Sequence, residues 1–431
     1  MWPAFEARGV SGAMPVPGGM QVVAGAMRGR HAVAPRRAMP VGELRHGVFL
    51  RGDRGGLWCV GWAWSAVLLL GCVGRAWSKP PPGLPPDGAL AARLLETAGD
   101  GFRIRETKHF TIAYDTSHET VAALVGRLEG IYTAVWRFCE GMGVEIHPPG
   151  ARLEVILFDS YGDYTAYCAA AGLHAASMAG FYHHKTNLAT FCNAVHRPGF
   201  ARLNREIDRL SARLRDRSHD LGRGRSAVQR RFVALRSRRD AAVERFNRLV
   251  IQHEAAHQIL FNIGVHVRGG QVPDWLAEGL ACQFEVPQAR AARGLARTNQ
   301  YRLADFRDAL GLGADARRVS DAAIVSAVRA GRLVRLRDLV GDADSFARRD
   351  EHLMYRYAQA WALVSYLQRV HRDRFSAYVS RLARRAPGVV FDGARERAAF
   401  ESVVGPLDAA MERAWIDYIV KLRYDPREAG R

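Results

Sequence analysis

The stretch Leu249-Val-Ile-Gln-His-Glu-Ala-Ala-His-Gln-Ile-Leu-Phe261 places two histidines four residues apart on a strongly helical run. At about 3.6 residues per turn, His253 and His257 lie on one face of the helix, so both imidazoles can reach one ion. Glu254 lies about 100° round the helix from the first histidine, where it can contact a water molecule beside that ion. This spacing is typical of a zinc site with two histidine ligands and a glutamate as general base.

A catalytic zinc ion takes three protein ligands and keeps its fourth position open, so a third ligand is expected on another element. Glu278 fits best, because it lies 21 residues after His257 in a second apolar run. Pro273 and Asp274 can begin that run as a helix, with Asp274 as its N-cap. The sequence therefore predicts one Zn²⁺ per chain, bound by His253, His257 and Glu278.

Taken together, His-Glu-x-x-His and the later Trp275-Leu-x-Glu-Gly-Leu-Ala281 resemble the gluzincin class of zinc metallopeptidases, whose third ligand is a downstream glutamate. The chain is also similar, from about residue 100 to residue 425, to an uncharacterised secreted bacterial family, domain-of-unknown-function family 1570. The segments that carry this second resemblance are His109-Phe110, Leu157-Phe158-Asp159, Gly180-Phe181-Tyr182, His253 to Gln258 and Tyr357-Ala-Gln-Ala-Trp-Ala-Leu363.

The resemblance implies an α+β, zincin-like fold with a small N-terminal sheet, a zinc helix, a helical C-terminal subdomain and an inserted helical hairpin. It also implies a zinc-dependent metallopeptidase with a peptide or protein substrate, in which Glu254 takes the proton of the attacking water. Peptide is preferred over other amides only through this resemblance. The alternative is a noncatalytic cell-surface protein that keeps the zincin fold for binding or as a scaffold. The intact Glu254 favours the enzyme.

Length and composition predict a globular protein with an N-terminal extension. A chain of 431 residues with 48% hydrophobic content can bury a sizeable core. We expect disorder, or an extension upstream of the true start codon, over residues 1–50; a signal peptide or membrane anchor over 51–78; a linker over 79–100; the N-terminal α/β part of the peptidase domain over 101–196; an inserted Arg-rich helical hairpin over 197–246; the zinc-binding segment over 247–288; and a helical C-terminal subdomain over 289–425.

The apolar run from Leu57 to Val73 follows a positive flank and precedes a Pro-rich exit, as in an export signal. Leu69-Leu-Gly-Cys72 also resembles a lipoprotein cleavage box, in which Cys72 would become the lipidated first residue. Signal peptide, lipoprotein anchor and uncleaved membrane helix are therefore alternatives. All three predict an exported protein that is periplasmic, extracellular or membrane-anchored.

The alternation and spacing of apolar residues predict most elements of the globular part. We expect helices over Leu90–Thr97 and Glu119–Met142, strands over His109–Asp115 and Ala151–Phe158, a helix or loop over Ser160–Gly172, a hairpin over Met178–Phe191 that turns at Lys185–Asn187, and C-terminal helices over Arg302–Leu312, Asp321–Ala330, Tyr355–Arg372, Asp373–Ala386 and Leu407–Leu422.

Two further sets of residues are candidates for the site. In gluzincin-like folds an edge strand before the zinc helix pairs with extended substrate, so Gly180, Phe181 and Tyr182 could bind substrate. The alternative is an exposed hairpin without a function. Tyr357 or Tyr355 could donate a hydrogen bond to the oxyanion formed during hydrolysis, or could be a buried tyrosine with a structural partner.

The net charge of +19 does not predict nucleic-acid binding, because only 4 of the 62 cationic residues are lysine. This excess of arginine fits the base composition of the coding sequence better than selection for phosphate contacts. Between Ala201 and Phe246 there are 14 Arg against 6 Asp and Glu. These arginines predict a solvated face or contact with anionic lipid or a cell-wall polymer.

Four cysteines of the globular part can be buried thiols or disulfides. They are Cys139, Cys168, Cys192 and Cys282.

Overall fold

The structure is a computed structural model and describes residues 84, 87–171, 180–216, 224–286, 297–342, 345–346, 348 and 350–429. The predictions for residues 1–50 and 51–78, including Cys72, and for the start of the 79–100 linker (79–83 and 85–86) lie outside the described residues. Within the described ranges, no helix is both long and apolar enough to cross a membrane. The predicted α+β class is confirmed, because a five-stranded sheet is combined with many helices.

The sheet forms the N-terminal part of the fold and has the strand order β1-β2-β3-β5-β4. The strands are β1 Arg103–Glu106, β2 Phe110–Tyr114, β3 Leu153–Phe158, β4 Gly180–His183 and β5 Leu188–Cys192. β2, β3 and β5 are parallel, whereas β1 and β4 pair antiparallel with their neighbours. All residues of β2 and β5 are buried, as expected for parallel strands covered on both faces. β4 is therefore an edge strand, and the predicted hairpin is confirmed.

Three helices accompany these strands, namely α1 Gly88–Ala98, α2 His118–Met142 and α3 Tyr161–Ala170. α2 carries an apolar stripe at helical spacing and buries it in the core. Ser117 caps its first turn by accepting a hydrogen bond from the amide of Thr120, and Gly143 ends it in the left-handed conformation. The helices predicted near Leu90 and after Glu119 are thus confirmed.

The Arg-rich segment consists of α4 Ala201–Arg215 and the first half of α5 Arg225–Asn262. α5 does not stop at the predicted boundary near residue 246 but continues through both histidines as one helix of 38 residues. The reason is local, because no glycine or proline interrupts that stretch. Ile207 and Leu210 are the buried residues of α4.

α6 Asp274–Ala281 carries the predicted third ligand and packs on α10 Leu353–Val370. The approach is close at Gly279, where an added Cβ would lie 2.5 Å from the carbonyl oxygen of Ala360. The prediction of Asp274 as N-cap is wrong. Pro273 is the capping residue instead, because Asp274 is already helical and the carbonyl of Pro273 accepts the first hydrogen bonds of the helix. No side chain caps this end of the helix.

The C-terminal part is helical, as predicted. Its remaining helices are α7 Gln300–Ala309, α8 Asp321–Arg329, α9 Leu336–Gly341, α11 Arg372–Ala383, α12 Gly393–Val403 and α13 Ala409–Val420. The sequence predicted five of the C-terminal helices but not α9 and α12. The four cysteines are buried thiols and form no disulfides with described residues, so the prediction of buried thiols is confirmed.

Candidate metal centre

Three predicted ligand atoms converge on one point between α5 and α6. Nε2 of His253 lies 3.0 Å from Oε2 of Glu278 and 3.1 Å from Nε2 of His257. Nε2 of His257 lies 3.4 Å from the same carboxylate oxygen. The three atoms form a nearly equilateral triangle, and these residues make one of two groups in the described chain that could hold a metal ion.

This triangle has the dimensions of a zinc site. In tetrahedral coordination with bonds of about 2.0–2.1 Å to nitrogen and oxygen, ligand atoms lie about 3.3 Å apart. Two imidazoles and one carboxylate also match the donor types that zinc accepts. Both histidines are buried, at 1% and 9% exposure, so the lone pairs of His253 and His257 have little access to bulk water. The residues present therefore fit a divalent cation such as zinc.

The ring of His253 and the carboxyl of Glu278 favour opposite charges. Burial alone would raise the pKa of Glu278, but His257 and His253 hold it well below its usual value. Burial would lower the pKa of His253, yet Cys282, Glu278 and Glu285 raise it well above 6.5. The surrounding groups thus favour positive charge on the His253 ring and negative charge on Glu278.

Glu254 lies beside this triangle and not in it. Its Oε2 accepts a hydrogen bond from the backbone amide of Tyr182 on β4 at 2.9 Å. The carboxylate is 6% exposed and is positioned by the sheet edge. The predicted base is therefore brought next to the metal ligands while its side chain remains separate from the ligand set.

The three candidate substrate-binding residues form the start of edge strand β4. Gly180 packs against Phe191, and an added Cβ would lie 2.5 Å from the ring of that residue. The ring of Phe181 has its centroid 6.5 Å from that of Tyr164. Of the three, Tyr182 makes the contact with Glu254, so the edge strand and the predicted base are directly linked.

Glu285 contacts a candidate metal ligand but was not predicted from the sequence as part of the site. Its side chain is fully buried, and its Oε1 lies 3.0 Å from Nδ1 of His253, on the side of the ring opposite the ligand triangle. Arg302 donates to both oxygens of Glu285, at 2.8 and 2.5 Å, and Asn299 donates to Oε2 at 2.8 Å. The thiol of Cys282 completes the cluster at 3.4 Å.

These contacts keep Glu285 ionised. Burial would raise the pKa of this carboxyl, but Arg302 and His253 lower it to about 2. A carboxylate can only accept hydrogen bonds, so Nδ1 of His253 is the donor, and it is Nε2 that loses its proton when the ring presents a lone pair to a metal. Such an arrangement fixes both the tautomer and the ring orientation of a metal-binding histidine.

The second group that could hold a metal consists of His253, Cys282 and Glu285. It is the poorer candidate, because the guanidinium of Arg302 already neutralises Glu285 with two hydrogen bonds. A cation at this place would have to displace a buried arginine. The triangle formed with His257 and Glu278 contains no such competing charge.

The two tyrosine candidates lie in different places. Tyr357 is 3% exposed, and its ring centroid lies 5.9 Å from that of His253. Burial and then Glu278 and Glu254 raise its pKa well above 10, so the phenol stays protonated and can donate. The hydroxyl of Tyr355 instead donates a hydrogen bond of 3.0 Å to Asp308 on α7. Tyr357 is the tyrosine that the fold brings to the ligands.

Comparison with known proteins supports the family resemblance over part of the chain. The family model described as Protein of unknown function (DUF1570) matches residues 248–388, from the ligand-bearing part of α5 to just beyond α11. The matched range contains the three candidate metal ligands, Glu254, Glu285 and Tyr357. No curated protein and no solved structure matches the chain. The gluzincin assignment and the zincin-like fold remain predictions.

Proposed function

We propose that the protein is a zinc-dependent metallopeptidase of the gluzincin type, with one Zn²⁺ bound by His253, His257 and Glu278. The observation that carries the proposal is the convergence of these three ligand atoms next to, but separate from, the carboxylate of Glu254. A bound zinc ion would supply a Lewis acid that polarises a carbonyl and lowers the pKa of water. The side chains of the protein would hold the ion and transfer the proton.

Glu254 acts as the general base in this proposal. Its carboxylate takes a proton from the attacking water and passes it to the leaving amine. The amide of Tyr182 keeps the carboxylate in place through its 2.9 Å hydrogen bond. Because that donor belongs to the sheet, the base is positioned before substrate arrives, which is what a proton transfer at a fixed distance requires.

The outer edge of β4 is proposed to bind the substrate backbone. The Tyr182 amide points at Glu254 and therefore away from the partner strand β5. In an antiparallel strand the carbonyl of that residue, and the groups of Gly180 two positions away, point to the same side. These groups can pair with an extended peptide that lies between β4 and the metal ligands.

The Arg-rich hairpin supports a second candidate function, namely noncatalytic binding at an anionic surface such as membrane lipid or cell-wall polymer. Arg202, Arg205, Arg213 and Arg230 are exposed and form no ion pair with a described residue. We keep export as part of both candidates, on the basis of residues 51–78. Intact metal ligands and an intact base favour the peptidase.

Metal analysis combined with a mixed peptide library tests the proposal. The full-length chain should contain about one zinc and should cleave peptides in a manner that chelator abolishes and zinc restores. A zinc-loaded protein that cleaves no peptide in the library would instead favour the noncatalytic function.

A further inference from the structure

A cavity of about 580 Å³ opens at the C-terminal end of α5. Its walls come from the end of that helix, from the turn that follows it, from the segment after α2 and from the end of α11. The residues that line it include Phe261, Asn262, His266, Arg268, Arg384 and Arg385. None of them belongs to the metal centre described above.

The cavity lies next to the part of β4 that borders the proposed substrate cleft. Phe261 is one helical turn beyond His257, and its ring centroid is 5.7 Å from that of Tyr182. The hydroxyl of Tyr182 donates to Asn187 at 2.9 Å, and Asn187 is bonded in turn to Asn262 on the cavity wall. An extended chain that passes Glu254 along β4 towards the hairpin turn therefore reaches this cavity.

The charge on the cavity wall is positive. Three arginines line it, and Glu145 is the only carboxylate among its lining residues. Glu145 lies 3.5 Å from Arg384, and Arg385 is paired with the buried Glu396. Arg268 is exposed and makes no ion pair with a described residue.

One buried polar atom on the wall also lacks a partner. His266 is 3% exposed, and its Nε2 makes no hydrogen bond with any described residue. Buried polar atoms are nearly always hydrogen-bonded in folded proteins. The ring centroid of His266 lies 5.0 Å from that of Phe261, so this atom is close to the path from the metal ligands.

We infer that this cavity is a subsite for a carboxylate of the substrate, bound mainly by Arg268. The inference rests on the proposed peptidase function. A guanidinium binds a carboxylate through charge-assisted hydrogen bonds, and a concave wall withholds part of the competing water. The carboxylate is either an acidic side chain or the free C-terminus of a peptide. The enzyme would thus prefer acidic peptides, or would remove residues from a C-terminus.

Binding to an inactive variant separates these sources from each other. One fluorescein-labelled peptide is prepared in four forms, with Glu or Gln at one internal position and with a free or amidated C-terminus. Fluorescence anisotropy measures their binding to zinc-loaded, full-length Glu254→Gln. We expect at least one carboxylate to strengthen binding about tenfold, the size of one charge-assisted hydrogen bond. The peptide form that binds more tightly shows whether the carboxylate is the acidic side chain or the C-terminus.

Arg268→Gln, introduced into the same protein, should remove most of that preference. Arg329→Gln is the matched control, because Arg329 is an exposed arginine at the end of α8. Equal binding of all four peptides, no binding of any, or an equal loss in both arginine variants would overturn the inference. If Arg268 selects carboxylates but the zinc-loaded wild type cleaves no peptide, the peptidase proposal fails and the subsite stands.

Discussion

Nδ1 of His253 donates a hydrogen bond to the buried carboxylate of Glu285, 3.0 Å away. The same ring presents its other nitrogen, Nε2, to the ligand triangle. Glu285 is held in turn by Arg302, so the orientation of the histidine depends on an ion pair that is itself buried. The candidate metal ligand is therefore oriented by residues that lie outside the ligand triangle.

Glu285→Gln should weaken zinc binding by about 10- to 100-fold, because the amide no longer selects the Nδ1–H tautomer with a full negative charge. Competition with a chromophoric chelator measures the affinity. Glu428→Gln is the control, since Glu428 forms an exposed ion pair with Arg297. Because Arg302 would lose its buried partner, folding is checked by circular dichroism, and Glu285→Asp serves as a charge-preserving variant. Unchanged affinity in a folded Glu285→Gln protein would contradict the positioning role.

Substitution of each candidate ligand should reduce the zinc content of the protein. The full-length wild type is expected to bind about one zinc, and His253→Ala, His257→Ala and Glu278→Gln should each reduce occupancy, because each removes a coordinate bond or its charge. Inductively coupled plasma mass spectrometry after dialysis measures the metal content. Full occupancy in Glu278→Gln would show that Glu278 is not a ligand.

Zinc binding should also weaken as the pH falls, because the metal has to displace a proton from His253. The pKa of that ring is raised well above 6.5, mainly by Cys282, Glu278 and Glu285 against the effect of burial. At neutral pH the ring therefore carries a proton that must leave on binding. Isothermal titration calorimetry in two buffers of different ionisation enthalpy should count about one released proton or more per zinc. No proton release at pH 7 would contradict this charge state.

The convergence of the three candidate ligands could be predicted from sequence because their spacing encodes their geometry. A helix fixes His253 and His257 on one face, and the Trp-Leu-x-Glu-Gly-Leu-Ala motif identifies Glu278. The main elements followed for the same reason, since strands and amphipathic helices show their buried faces as a periodic pattern.

The supporting residues could not be predicted in this way. Glu285 lies seven residues after Glu278, and this helical spacing is the one sequence signal that places both on a common face. The signal is weak, because the short 3-10 turn Cys282–Phe284 separates Glu285 from α6. Arg302 lies on a different helix, and its contact with Glu285 exists only after both elements pack. The continuity of α5 was missed because a charged, exposed first half and a buried second half look like separate segments.

Removal of the Arg-rich hairpin should leave a folded, metal-binding protein. The rings of Phe200 and Phe246 lie 6.5 Å apart, so a short Gly/Ser linker can join residue 201 to residue 242. This deletion keeps Glu244, which pairs with Arg127 on α2. α5 becomes shorter but retains the turns that carry the ligands. A deletion variant that is unfolded or free of zinc would show that the hairpin belongs to the core.

Replacement of the base should separate the enzyme from the scaffold. Glu254→Gln should keep zinc and fold, because the amide is nearly the same size and its oxygen can still accept the hydrogen bond from Tyr182. It should lower the rate of peptide hydrolysis about 10²-fold or more, because no proton acceptor remains beside the attacking water. Rates are measured on a mixed peptide library at matched zinc content, with Asp240→Asn, an exposed acid on the same helix, as the control. Equal rates in Glu254→Gln and wild type would remove Glu254 from the mechanism, whereas a selective loss would show that the ligand triangle and this carboxylate act together on a substrate.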